Sequence, residues 1–139
     1  MRTPWHLWPV GLAFLALSAL GVWDQAMLLG ADTAYMDSLG LGPAERAYYA
    51  GYPLATALLW GFAIWAAVAA ALLLLARRRL AWPASLVALA AQGALLAVTF
   101  LVMDRGAIFG LGSALFDVGL LVMVAVFAAY VRLVRPVLR

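Results

Sequence analysis

Residues 52–76 read YPLATALLWGFAIWAAVAAALLLLA, with no charged side chain and, beyond the opening tyrosine, a single hydroxyl at Thr56. At about 1.5 Å rise per residue this stretch reaches roughly 37 Å as a helix, more than the ~30 Å hydrocarbon core of a bilayer, and a helix satisfies its own backbone hydrogen bonds there. Polar and apolar residues do not alternate along it, which excludes a transmembrane barrel strand.

Three more runs of this kind flank it, at about 8–29 on one side and about 82–103 and 107–131 on the other. Together they predict an all-α fold, an integral membrane four-helix bundle with short loops, forming one unit over residues 1–139. The composition agrees: 68% of the residues are apolar, 11% are charged and the mean hydropathy is +1.05. A soluble domain covers its core with about a quarter charged residues, so these runs are expected to meet the lipid bilayer. The first run follows one arginine, exceeds the length of a signal-peptide core and carries tryptophan at both ends, so it is read as a retained span. Cysteine is absent, which excludes disulfides and thiolate chemistry. All nine basic residues are arginine, with no lysine and no asparagine in the chain, and the heavy use of alanine, glycine and arginine points to a GC-rich bacterial genome. The arginines lie at the ends of the runs, as topological anchors do, and no nucleic-acid partner is expected.

The longest connection, residues 30–51, carries Asp32, Asp37 and Glu45. Pro43 and Glu45 stand where a first-turn proline and acid belong, which predicts a short interfacial helix over Pro43–Ala50, with Tyr48, Tyr49 and Tyr52 at the membrane surface. His6, between Trp5 and Trp8, is expected at headgroup level, and Trp82 and Tyr130 read as interfacial anchors. Arg2, Arg77, Arg78, Arg79, Arg132, Arg135 and Arg139 fall on one side, while Arg46 and Arg105 fall on the other. That bias predicts cytoplasmic N- and C-termini in a bacterial inner membrane.

Polar residues inside the runs mark candidate sites. Asp117 and Gln92 each lie about ten residues into their spans, roughly 15 Å deep, and a carboxylate there costs at least about 2.5 kcal/mol unless it is paired. A glutamine amide at matched depth is a natural donor to it. Ser113 shares the predicted helix face of Asp117 with Gly106 and Gly110, at spacings that suit close helix packing. Ser85, Gln92 and Thr99 form a seven-residue stripe on the third span, as Gly11, Ser18 and Gln25 do on the first. Asp117, Gln92, Thr99 and Ser113 therefore form the candidate intramembrane polar site. Asp24 and Gln25, with Asp104 and Arg105, form a candidate vestibule on the outer side. Trp60 and Trp65 are expected to fill volume between helices or to contact lipid, with Gly61 allowing close approach beside Trp60.

The segment Trp23–Met36, the Gly51–Tyr52–Pro53 turn followed by Trp60 and Trp65, the Arg77–Arg79 triplet with Pro83, and the Val137–Leu138–Arg139 tail resemble a small bacterial family of four-span membrane proteins labelled sugar transporters. The resemblance implies a four-span bundle with a transport role. Gln25 and Tyr52 stand where the family carries tyrosine and phenylalanine, and the fourth span lies outside the resemblance, so Asp117 takes no role from it.

No metal-ligand cluster, nucleophile with an adjacent base, phosphate-cradling loop or cofactor motif is visible, and an enzyme is not expected. The reading that asks least is a structural or accessory membrane subunit, self-associating as a homo-oligomer or packing into a larger complex through its small-residue seams. The alternative is a small-solute or proton- or cation-linked transporter working as an oligomer through Asp117 and Gln92.

Overall fold

The computed structural model describes residues 4–139, so Arg2 of the basic set lies outside the described residues. Four helices are long and apolar enough to cross a membrane: α1 (Leu7–Leu29), α4 (Leu54–Leu75), α5 (Ala81–Leu101) and α6 (Arg105–Val134). Two short helices, α2 (Thr33–Ser38) and α3 (Pro43–Ala50), bridge α1 to α4, and a 3-10 turn at Arg135–Val137 follows α6. No strand forms among the described residues. Prolines mark the starts, where a missing N–H costs nothing: Pro9 and Pro83 lie in first turns, Pro43 opens α3, and Pro53, extended at ψ 138°, precedes α4. The helix α2 was not anticipated; Asp32 caps it by accepting a hydrogen bond from the Tyr35 backbone N–H at 2.8 Å.

The helices pack in sequence, α1 on α4, α4 on α5 and α5 on α6. Small residues hold the centre, with Ala63, Ala67, Ala70, Ala71, Ala81, Ala88 and Ala128 all buried, while Leu12, Leu58, Leu72, Phe62, Val122 and Val126 point outward. This is the arrangement expected when the surroundings are as apolar as the core, because close backbone approach rather than leucine burial then binds the helices. Gly11 is the tightest instance: a Cβ there would stand 2.6 Å from Leu75 Cδ2 on α4. Gln25, on the same stripe of α1, donates its amide to the Ala57 carbonyl of α4 at 2.9 Å, opposite Gly61.

At the end that carries the α4–α5 turn, contacts tie α1 to α6 and the C-terminal tail to the turn. Phe14 of α1 stacks on Phe127 of α6 at 3.7 Å, and His6 Nδ1 lies in a 2.7 Å hydrogen bond with the Tyr130 hydroxyl. His6 and Tyr130 thus join α1 to α6 rather than serving only as surface anchors. Arg77, in the left-handed conformation at φ 56°, turns the chain so that Arg139 N–H reaches the Arg77 carbonyl and Arg79 N–H reaches the Arg139 carbonyl. Arg79 Nε adds a bond to the Leu138 carbonyl, and Leu138 is buried. The arginine triplet and the Val-Leu-Arg tail are therefore neighbours in space.

At the opposite end the structure departs from expectation. Helix α3 has the predicted limits, yet Tyr48 and Tyr49 are buried against α6 and one another rather than displayed at the surface. An ion pair between Arg46 and Asp37, and an Arg46 Nε bond to the Leu41 carbonyl, hold α2 and α3 together as a roof over this end.

Replacing Gly11 with valine overpacks the α1–α4 seam and is expected to cost about 1–3 kcal/mol. Gly93→Ala, where the added carbon meets nothing within 4 Å, serves as the control that leaves stability unchanged or raised. Thermal unfolding of the two variants in the same detergent checks this.

Candidate functional site

The site is organised by Gly110. Its φ of 79° and ψ of −176° lie in a region open essentially to glycine alone, and they interrupt α6 after its first turn. The fourth apolar run, placed by hydropathy at about 107–131, is thus broken near its start. Gly106, Gly110, Ser113 and Asp117 do not form one continuous packing face: a Cβ on Gly110 would meet nothing within 4 Å, while one on Gly106 would lie 3.4 Å from Phe100.

The break allows an ion pair that a straight helix forbids. Arg105 and Asp117 are twelve residues apart, about 18 Å of helical rise, beyond the joint reach of the two side chains. With the first turn folded back, Arg105 Nε donates to Asp117 Oδ2 at 2.6 Å and Nη2 donates to Oδ1 at 3.3 Å. This is the two-pronged match of guanidinium to carboxylate. Asp117 is 7% exposed, and its hydrogen bonds come from Arg105 rather than from Gln92. Arg105 Nη1 donates to the Tyr49 hydroxyl at 3.3 Å, and the guanidinium carbon lies 4.6 Å from the centre of the Phe109 ring. Tyr48 packs edge-on against Phe109, with its hydroxyl buried and without a hydrogen-bond partner. Burial pushes the Tyr48 and Tyr49 phenols above their ordinary range, with Arg105 opposing the shift in both.

Beneath this cluster lies a cavity of about 730 Å³ between α1, α4, α5 and α6. Asp117, Gln92, Thr99 and Ser113, the four candidate residues of the intramembrane site, all line it. Thr99 spends its hydroxyl on the Leu95 and Leu96 carbonyls of its own helix. Of the candidate vestibule, Asp24 and Arg105 line the same cavity. Asp104, exposed and left-handed at φ 51°, and Gln25, committed to the α1–α4 seam, are not among its walls. Tyr35, Tyr49, Tyr52 and Trp60 complete the wall nearest the roof, whereas Trp65 is exposed on the outside of α4. Sequence reasoning missed the tyrosines as site residues; the available signal was their density between residues 48 and 60, opposite an arginine at the edge of an apolar run.

Tyr35 fastens the roof to α1 by donating its hydroxyl to Asp24 Oδ1 at 2.6 Å. That hydrogen bond, with a smaller contribution from burial, pushes the phenol up to about 12. Because the folded value is raised above the ordinary 10.0, the stabilisation is complete below pH 10.0 and disappears as pH rises through about 12. Among the described residues no three His, Asp or Glu side chains converge as a metal site requires.

Removing one partner of a buried ion pair leaves the other uncompensated and costs about 3–5 kcal/mol. Asp117→Asn is expected to destabilise on that scale. Gly110→Ala, which strains the break or straightens the helix, is expected to cost clearly less in an Asp117→Asn background than in the native chain, since both changes act on one interaction. A double-mutant cycle on unfolding in detergent measures the coupling, and strict additivity would separate the helix break from the ion pair.

Comparison with family models, with curated proteins and with solved structures returns no match, so the assignment that stands is the one carried by the coordinates and composition, an all-α bundle with four helices fit to cross a membrane.

Proposed function

We propose that this chain is a small-molecule-binding membrane protein of the transport class, with the cavity beneath α2 and α3 as its binding site. The observation that carries the reading is the cavity itself: about 730 Å³, the size of an ordinary ligand site, with a two-pronged Arg105–Asp117 pair in its wall and Trp60, Gln92 and Ser113 facing the same space. A subunit whose only task is to pack against partners gains nothing from leaving such a volume unfilled at its centre. Gly110 adds to the case, since a helix interrupted beside a cavity is how transporters commonly bring polar groups to a site within the bilayer. The resemblance to a family labelled sugar transporters points the same way. The arginine bias supports a bacterial inner membrane with the arginine-rich end in the cytoplasm. The cavity lies within one chain, so a protomer suffices to bind, and self-association would serve to complete a path across the membrane.

Coupling to a proton or cation through Asp117 gains no support, because both of its oxygens are already taken by Arg105. The test is native mass spectrometry of protein extracted gently from its own membrane, compared with Leu96→Trp, which narrows the cavity from α5, a different helix from that of the ion pair. A small-molecule adduct on the native chain, lost from the variant while the fold survives, supports binding. A bare chain in both, recovered within a larger hetero-complex, would assign the accessory role instead.

A further inference from the structure

Resting on that binding reading, we infer that the ligand is an amphiphile with an uncharged polar head and an apolar tail, entering sideways from the lipid between α1 and α6. The opening is set by where those two helices close on each other. Their Phe14–Phe127 stack and His6–Tyr130 bond lie at the arginine-rich end, while the cavity lies toward the other. There Leu20 of α1 and Phe116 of α6 line the cavity and are nevertheless 63% and 66% exposed on the outer surface. A residue that belongs both to a cavity wall and to the outer surface marks the rim of an opening. Leu20 is nine residues short of the end of α1, roughly 13 Å along the axis, so this rim faces hydrocarbon rather than water. Toward the α1–α4 loop the Tyr35–Asp24 and Arg105–Tyr49 bonds hold the roof down, and Leu39, between α2 and α3, is the one strongly exposed wall residue there. The exposed wall residues lie mostly on α1 and α6, namely Leu17, Leu20, Trp23 and Phe116, so the broader approach to the cavity is from the bilayer.

The walls define its chemistry. Ile64, Leu95, Leu120 and Met123 provide a long apolar lining suited to a hydrocarbon tail. Toward the roof the charges are already balanced, with Arg105 against Asp117 and its remaining nitrogen on Tyr49. An anionic head would enter a low-dielectric site without an unpaired counter-charge, at a large desolvation cost. A neutral head instead meets Gln92 and Ser113, which line the same space with spare donors and acceptors, and the Trp60 side chain. Asp24 is the remaining carboxylate of the lining, half-buried beneath the roof and bonded to the neutral Tyr35 hydroxyl. It gives the one alternative worth testing, a cationic head.

Three probes sharing a dibromostearyl chain and differing only in the head separate these cases: the monoglyceride, the alkyl sulfate and the alkyl trimethylammonium. Bromine quenches tryptophan at contact, so the saturable quenching lost on Trp60→Phe reports occupation beside Trp60. The monoglyceride is expected to half-saturate at a concentration at least about tenfold lower than either charged probe. Because the native chain has no cysteine, Leu20→Cys and Phe116→Cys can each be alkylated with a bulky maleimide. Either label is expected to slow quenching several-fold, while the same label at Leu58→Cys, on the exposed face of α4 away from the cavity, leaves the rate unchanged. Tighter or equal binding of a charged probe would overturn the neutral head while leaving the binding site in place. Rates indifferent to the labels at positions 20 and 116 would overturn lateral entry. Absence of Trp60 quenching by all three probes would remove the binding site as well.

Discussion

A carboxylate and a guanidinium in the upper part of one lipid-facing helix cannot both be left alone, and the pairing of Arg105 with Asp117 determines the shape of everything around them. Insertion penalties for each charge are of the order of 2.5–3.5 kcal/mol at the bilayer centre, and the pair removes the need to expose either to hydrocarbon. Bringing them together requires the helix to kink at Gly110, which places Phe109 against the guanidinium and leaves the Tyr49 hydroxyl as its next partner. Tyr48, Tyr49 and Phe109 then form the surface on which α3 is seated. The seat of α3 and the aromatic wall beside it thus rest on one charge pair within α6, while Arg46–Asp37 and Tyr35–Asp24 secure the rest of the roof.

The two ends of the bundle are built on different principles. At the arginine-rich end alanines allow the helices to approach closely, and the contacts that shut it are a stacked pair of phenylalanines, one side-chain hydrogen bond and the backbone clasp between Arg77–Arg79 and Leu138–Arg139. At the other end large aromatic residues and long polar ones replace the alanines. Tyr49, Tyr52, Trp60 and Arg105 hold the helices apart around their own bulk, and the cavity occupies the transition between the two regimes. Small residues let the backbones approach closely, which leaves little room for a ligand between them.

Much of this architecture is legible in residue order. Hydropathy locates the four spans to within a few residues, and Pro43 with Glu45 locates α3, because both rest on local chemistry: transfer from water, and the geometry of a helix start. Asp117 is conspicuous for the same reason. Its partner is not legible, since twelve residues of regular helix would place Arg105 far away, and a glycine within a span reads equally well as a packing contact and as a break. The spacing of Gly106, Gly110, Ser113 and Asp117 even favours the former. The tyrosines mislead in a comparable way. Aromatic residues beside a span ordinarily sit among headgroups, and only the position of Arg105 turns Tyr48 and Tyr49 inward. Helix α2 was within reach, because Asp32 is a good cap, but six residues offer too little periodicity to declare themselves.

The ion pair also limits what the cavity can do. To use either charge, a ligand would have to displace a 2.6 Å contact that simultaneously holds the fold of the first turn of α6. The loss would extend through Phe109 and Tyr49 to the roof, so engaging the pair and opening the α3 end are mechanically one event. A ligand that leaves the pair intact avoids that cost and interacts instead with Gln92, Ser113 and Trp60, reached from the side where α1 and α6 diverge. Under the proposed binding reading, the Arg105–Asp117 pair serves as masonry, and selectivity falls to the other polar groups of the wall.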